Sequence, residues 1–335
     1  MKVKKRIFII VFILASIIIC GLLKSIIGDQ YCIDGKRSDN IDRNAQTLGN
    51  HYVYSTDGSS IYIKNVDSGK VYAVATDRGF LKGYSEPFFS GEYIYYFDNW
   101  DGQLSTTLFR SSITDNNTNK EIVMDWVLYP VTVGDNILYY CEKTKIKAKD
   151  LNTKTEKEIF DMGDIDESTE LSLFKYINDD LYLAYENKLV YVDLSSQKSK
   201  VLCSMKDKDE YFIDLVLLEN EEVVFLTNRG LYSYTEVNGV NELLYMCIDE
   251  IEVSYPYSDK KLHIKENLIY FNDSAHNLHC YNMKTEKDEI VYKLRGGEDI
   301  VSAEYHFCDD YIIVEWYQYN TYENVERKEM KFKYN

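Results

Sequence analysis

Gly91-Glu92-Tyr93-Ile94-Tyr95-Tyr96-Phe97-Asp98 sets a polar turn before a short apolar and aromatic run, then returns to polar sequence. The same arrangement recurs to the end of the chain. Its strong apolar segments centre on Val53, Tyr95, Leu138, Tyr182, Val224, Ile269 and Ile312, at intervals of 42, 43, 44, 42, 45 and 43 residues. A near-constant period of this length marks a repeat architecture.

Each unit has one internal order. In the sixth, Lys261–Ile264 reads as a first strand, Leu268–Phe271 as a second, Leu278–Tyr281 as a third and Glu289–Tyr292 as a fourth. Between them lie Lys265-Glu266-Asn267, Asn272–Asn277 and Lys284-Thr285-Glu286-Lys287. The first turns of other units are Ser90-Gly91-Glu92, Gly134-Asp135-Asn136, Asn178-Asp179-Asp180 and Cys308-Asp309-Asp310. Their last turns are Asp67-Ser68-Gly69, Asn116-Asn117-Thr118, Asn152-Thr153-Lys154 and Ser195-Ser196-Gln197. Asn, Asp and Gly suit these places because they tolerate the backbone angles of a tight hairpin. Four antiparallel strands in about 43 residues match one blade of a propeller.

The second strands are apolar on both faces: Ile94-Tyr95-Tyr96-Phe97, Leu181-Tyr182-Leu183-Ala184, Val223-Val224-Phe225-Leu226. A strand packed on one side alternates, whereas a strand covered on both sides runs apolar without a break. Parallel α/β sheets share that trait but need amphipathic helices between strands, and the intervals here hold turns and short strands.

The ends are less regular. The last unit offers Ala303–Phe307, Tyr311–Tyr317 and Arg327–Tyr334, three strands without a fourth. Tyr31–Leu48 is the place to look for the missing one, although it carries no clear strand pattern. His51–Ser55 reads as either the first or the second strand of its unit. The expectation is an all-β, seven-bladed β-propeller, with six or eight blades as the alternatives.

The N-terminus differs. Ile7–Leu23 is an unbroken run of apolar and small residues, preceded by Lys2, Lys4, Lys5 and Arg6. Extended to Ile27, it gives a helix of about 30 Å, enough to cross a bilayer core. The positive flank places the first residues in the cytoplasm and the remainder outside. Ser25-Ile26-Ile27-Gly28 makes a poor signal-peptidase site. Ile19 before Cys20 is too bulky for a lipoprotein signal. The expected organisation is a stub at 1–6, a transmembrane signal anchor at 7–27, a polar stalk at 28–44 and the propeller at 45–335.

The whole chain carries −17. Its first 24 residues hold five positive charges and no negative ones, so the remainder carries −22. That field repels nucleic acid and other polyanions and keeps a protein soluble. Seven cysteines (Cys20, Cys32, Cys141, Cys203, Cys247, Cys280, Cys308) lie scattered, with no CxxC. Most read as buried thiols acting as small apolar residues.

In Glu92-Tyr93-Ile94-Tyr95-Tyr96, Asp135-Asn136-Ile137-Leu138-Tyr139-Tyr140 and Glu266-Asn267-Leu268-Ile269-Tyr270, the chain resembles the low-density-lipoprotein-receptor-like propellers with Tyr-Trp-Thr-Asp repeats. It is more similar to bacterial membrane-anchored relatives of unknown function, in which Gly-Asp-x-Ile-Tyr-Tyr opens each unit. The resemblance runs from about Ala45 to the C-terminus and implies architecture. The Trp and Thr of the receptor motif are absent, so receptor-type ligand binding does not carry over, and fold alone does not imply function.

His276-Asn277-Leu278-His279-Cys280 invites a metal reading. Strand positions three apart point to opposite faces, so the two imidazoles converge only if a turn redirects one. The simpler reading is a turn histidine and a packed one, and only His51, His263 and His306 remain. The acidic loop Asp161-Met162-Gly163-Asp164-Ile165-Asp166-Glu167 offers hard oxygens but lacks calcium-loop spacing. Asp98-Asn99-Trp100-Asp101-Gly102 reads mostly as a turn, with Trp100 a candidate contact residue. There is no G-x-S-x-G elbow, phosphate-cradling loop or H-E-x-x-H. The tyrosines read as core, with their hydroxyls at the rim.

No catalytic, cofactor-binding or metal residue is therefore assigned, no cofactor is expected, and the binding residues are unknown. The expected role is a membrane-anchored, monomeric binding module for a protein, peptide or cell-envelope ligand, with no nucleic-acid partner. The alternative is an extracytoplasmic hydrolase or lyase acting on wall polymer or peptide. A sensory ectodomain is a third reading, for which a six-residue cytoplasmic stub leaves little room.

Overall fold

The computed structural model describes residues 46–334, apart from 57–59, 77–81, 101–106, 114–119, 128–129, 164, 166–170, 219–221, 236–240, 247–261, 274, 295–299 and 322–323. The expected anchor, the stalk, Cys20, Cys32 and Cys247 lie outside the described residues.

Blade 1 holds β1 (Thr47–Leu48), β2 (His51–Thr56), β3 (Ser60–Asn65) and β4 (Val71–Thr76). Blade 2 holds β5 (Lys82–Ser90), β6 (Tyr93–Trp100), β7 (Thr107–Ser112) and β8 (Glu121–Asp125). Blade 3 holds β9 (Val131–Gly134), β10 (Ile137–Glu142), β11 (Lys145–Asp150) and β12 (Glu156–Asp161). Blade 4 holds β13 (Leu171–Ile177), β14 (Asp180–Tyr185), β15 (Lys188–Asp193) and β16 (Lys198–Ser204). Blade 5 holds β17 (Phe212–Leu217), β18 (Val223–Thr227), β19 (Gly230–Tyr234) and β20 (Asn241–Met246). Blade 6 holds β21 (His263–Lys265), β22 (Leu268–Asn272), β23 (Leu278–Asn282) and β24 (Lys287–Tyr292). Blade 7 holds β25 (Ile300–Phe307), β26 (Tyr311–Thr321) and β27 (Asn324–Lys333).

Every sheet is an antiparallel meander in chain order, and the chain is a seven-bladed β-propeller. All seven predicted apolar centres fall in second strands. Burial explains why: β18 is buried at all five positions, whereas β12 and β16 are mostly exposed and β24 has no buried position. A second strand is covered by blades on both sides, while a fourth strand closes the rim.

The ends settle one of the two open points. His51–Thr56 is the second strand of blade 1, because Thr47-Leu48 pairs with it as a short first strand. That pair does not supply the fourth strand of blade 7, which has three strands among the described residues. Asp98–Trp100, expected as a turn, continue strand β6. Trp100, Asn99 and Asp98 pair with Lys82, Gly83 and Tyr84, and the Asp98 carboxylate accepts the Thr107 N–H at 2.9 Å.

Turn chemistry follows the sequence closely. Asp135 and Asn136 are left-handed, with φ of 51° and 62°, as are Asn178 and Asp179, with φ of 51° and 67°. Two consecutive left-handed residues give the tight hairpin whose twist matches the strands. A second device closes the third turn. Asn65, Asp150, Asp193 and Asn282 each end a third strand and accept main-chain N–H groups two or three residues on. Two ends of the ring follow from the meander. First and third turns leave at one end, called the turn end. Second turns and inter-blade connections leave at the other, called the connection end.

The core is divided among seven seams, one between each pair of adjacent blades. Each seam also carries a polar link. Around the ring these are Ser55 Oγ to the Tyr84 carbonyl, Ser90 Oγ to Val133, and the Tyr176 hydroxyl to Asp135. They continue with Lys175 Nζ to Leu215, the Leu262 N–H to Asp214, the Tyr305 hydroxyl to His276, and Thr47 Oγ1 to Phe307. Blades 3 and 4 approach closely: a Cβ added at Gly134 would lie 2.1 Å from the Tyr176 ring.

Candidate functional site

Charged side chains inside apolar strands are where chemistry would be sought. Asp214 sits in β17 between Ile213 and Leu215, buried, and its partners come from three blades. Lys175 of blade 4 forms an ion pair with it, Leu262 of blade 6 donates its N–H at 2.7 Å, and Leu215 of its own strand donates at 2.8 Å. Every acceptor site in use faces the protein, which makes Asp214 a clamp between blades. Arg110, buried in β7, donates from Nε to Glu121 at 2.8 Å and lies 4.3 Å over the Tyr93 ring.

The largest cluster closes the ring. On one face of blade 7, Glu304, Glu315 and Glu329 stand opposite one another across β25, β26 and β27. Glu315 is 3% exposed. It accepts from His306 Nε2 at 2.7 Å and pairs with the Arg327 guanidinium. Burial would push its carboxyl up, but His306 and Arg327 outweigh burial and hold it below its ordinary value of 4.5. Blade 1 supplies the other half. The Tyr52 ring stacks on His306 at 4.4 Å, and its hydroxyl donates to Glu329 at 2.9 Å. Burial, then Glu315 and Glu329, push that phenol far above its ordinary range. Lys64 donates to Glu329 at 2.6 Å, and Arg327 lies 4.3 Å over the Tyr54 ring.

The two expected histidines are used differently. A turn does redirect one: His276 is left-handed, with φ of 59°, and its carbonyl accepts the Tyr305 hydroxyl. His279 is buried in β23 and stacks on Phe271. Its Nδ1 faces Asp288 at 2.7 Å and its Nε2 faces Asp273 at 3.2 Å. Burial opposes its charge, but the two carboxylates outweigh burial and raise it to about 9. Both ring nitrogens are thus committed, so His279 anchors the 273–277 turn as a cation. Among the described residues, no group of three or more His, Cys, Asp or Glu side chains is placed to hold a metal ion.

In the acidic loop, Asp161 accepts from Thr144 at 3.3 Å and from the Gly163 N–H at 2.9 Å, and Met162 is buried between blades 3 and 4. Asp164, Asp166 and Glu167 lie outside the described residues. Cys203 and Cys308 are buried, Cys141 and Cys280 half-buried, and all four are free thiols. Burial pushes Cys308 up to about 12 and Cys141 up to about 11, which leaves them unreactive at neutral pH.

Among the described residues, Trp126 is a large apolar side chain exposed at the connection end, missed in the sequence because no pattern surrounds it. It is 85% exposed, with φ of 59°. Both follow from its neighbours: Asp125 ends β8 and is bonded to Thr107, while Val127 is buried between blades 2 and 3. Trp100, the expected contact residue, ends β6 of the same blade.

No family model matches the chain, and no curated protein matches it. Solved structures do. An oligogalacturonate lyase in complex with manganese is 12% identical, with a TM-score of 0.57 over 85% of this chain and 86% of that one. An oligogalacturonate lyase from Vibrio parahaemolyticus is 12% identical, with a TM-score of 0.56 over 88% and 92%. A chain of a mitotic checkpoint complex is also 12% identical, with a TM-score of 0.56 over 88% and 94%. At this identity the likeness shows the fold alone. Two lyases and an assembly subunit sharing it illustrate how little the fold says of activity.

Proposed function

We propose that this chain is a binding module, held on the outer face of a cytoplasmic membrane by Ile7–Ile27 and engaging a protein or peptide at the connection end of the ring. The observation that carries the reading is Trp126. A left-handed non-glycine residue costs roughly 1–2 kcal/mol, and a tryptophan this exposed leaves its indole in water. Exposed aromatic residues of this kind serve as anchors in protein interfaces. The buried charges described above are paired with one another inside the fold, which favours binding over acid–base chemistry.

The charge of −22 on residues 25–335 favours a cationic or neutral partner. It also argues against a lyase for anionic uronates, the reading that the two lyases would suggest. A photoreactive residue at position 126, compared with one at Gln197 on the turn end, tests the proposal in intact cells. One discrete adduct at 126 that excess unaltered chain suppresses, and excess Trp126→Ala chain does not, is expected. Equal labelling at both positions, or cleavage of oligogalacturonate by the purified chain with manganese, would overturn it.

A further inference from the structure

Tyr334 follows the last paired residue of blade 7, since the ladder between β26 and β27 ends with Tyr311 opposite Lys333. Its side chain turns inward at the turn end and packs in the seam between blades 6 and 7. The hydroxyl lies 2.9 Å from the Cys308 carbonyl and 3.1 Å from His263 Nε2. A carbonyl only accepts, so the single phenol proton goes to Cys308, and His263 Nε2 donates to the phenol oxygen. Burial, then Lys265, push His263 down to about 4, so at neutral pH its ring is uncharged and carries one proton, on Nε2. Lys265 Nζ sits 3.9 Å over the Tyr334 ring, and Tyr270 meets that ring edge-on at 5.3 Å.

The groups around Tyr334 are held by contacts in which it has no part. His263 stacks on Phe307 at 4.8 Å, with the rings 4° from parallel. Lys265 Nζ donates to the Asp309 carbonyl at 2.6 Å. Tyr270 is fully buried in β22, and the Cys308 N–H donates to the Tyr311 carbonyl at 2.9 Å. Aromatic walls with a few fixed polar groups are how proteins hold small ligands. Here the polar groups are one acceptor and one donor, matched to a hydroxyl that both donates and accepts. A phenylalanine side chain would leave both unpaired, and a phenolate would face the Cys308 carbonyl with no proton to give. Tyr334 can also leave without breaking a strand pair, because pairing stops at Lys333.

We propose that the turn-end seam between blades 6 and 7 is a binding site for a neutral phenol, filled in cis by Tyr334 and open to exchange with a phenol from outside the chain. His263 and the Cys308 carbonyl select the hydroxyl, and Tyr270 and Lys265 hold the ring. The site lies at the opposite end of the ring from Trp126 and does not rest on the binding reading given to that residue.

Exchange is read by fluorine NMR, with 3-fluorotyrosine placed at position 334 alone in the full chain. Excess p-cresol, the tyrosine side chain itself, should move the resonance to its solvent-exposed position while the circular dichroism stays unchanged. Toluene at the same concentration should not. The peptide acetyl-Gly-Tyr-Gly-amide separates the two sources of phenol: an effect like that of p-cresol assigns the site to a tyrosine presented by a partner, and no effect assigns it to a free phenol. The emptied site is read in Tyr334→Ala, which should bind p-cresol saturably, roughly tenfold or more tighter than toluene. His263→Phe in that background should abolish the preference. A resonance that p-cresol leaves unmoved overturns the proposal. So does a Tyr334→Ala chain that binds p-cresol and toluene alike, or neither. Where Tyr334→Ala does not fold, the fluorine resonance decides.

Discussion

Between blades 3 and 4, Tyr139, Ile146 and Ala148 meet Leu171, Phe174, Leu181 and Leu183 in an almost wholly apolar layer. Between blades 7 and 1, five buried apolar residues (Tyr52, Tyr54, Val66, Cys308 and Ile313) share the contact with Lys64, His306, Glu315, Arg327 and Glu329. The first seam joins blades adjacent in the chain, so sequence connectivity already holds its partners close. The second joins residues some 260 positions apart, as in the bond from Asn50 to Asp310. Apolar packing is nondirectional, whereas charge pairs with fixed partners specify which surfaces meet. The difference teaches that the closing seam is held by a cluster of specific charge pairs, whereas the seam between blades 3 and 4 is held by hydrophobic burial.

The largest expected effect comes from breaking the charged seam. Glu315→Ala leaves the buried His306 and the half-buried Arg327 without their partner, and denaturant unfolding should show a loss of about 3–5 kcal/mol. Replacing His306, Glu315 and Arg327 together with apolar residues of similar volume should recover most of that loss. Failure to recover would mean that the groups act separately rather than as one unit. In the apolar seam, Leu183→Ala should cost about 2–5 kcal/mol through lost burial and the cavity left behind. That cost should not change with pH, and a pH-dependent cost would erase the contrast.

Titration separates the two charged centres by sign. Glu315 is held below its ordinary 4.5, so its contribution is present above pH 4.5 and is lost as pH falls through its depressed value. His279 is raised from 6.5 to about 9, so its contribution is complete below pH 6.5 and is lost as pH rises through about 9. Melting temperature should therefore fall in acid in a way that Glu315→Gln removes, and fall in alkali in a way that His279→Gln removes. The smallest effect is expected at a third-turn cap. Asn282→Ala removes two main-chain hydrogen bonds and should cost about 1 kcal/mol by the same unfolding measurement.

Most of the fold was legible because second strands are buried on both faces, which leaves runs such as Val223–Thr227 that no half-buried strand would tolerate. The closing seam was not legible as a site. Tyr52 and Glu329 are 277 positions apart, and no local pattern connects them. A signal was nevertheless present: Glu315 lies in Ile312-Ile313-Val314-Glu315-Trp316, Asp214 between Ile213 and Leu215, and Arg110 after Leu108-Phe109. A single charge inside a doubly covered strand must be paired by a neighbouring blade or strand. The histidine pair was legible as a turn residue and a packed one, but not the carboxylates flanking His279, because Asp273 and Asp288 reach it through hairpin register. Trp126 left no trace, since its exposure depends on Val127 being drawn between two blades.

Closure of the ring is tested most directly by a distance across its seam. Spin labels on Asn50 and Asp310, measured by pulsed electron paramagnetic resonance in the folded chain, should give one short, narrow distance that broadens when Glu315 is replaced by alanine. A long or broad distribution in the unaltered chain would contradict a closed seven-bladed ring.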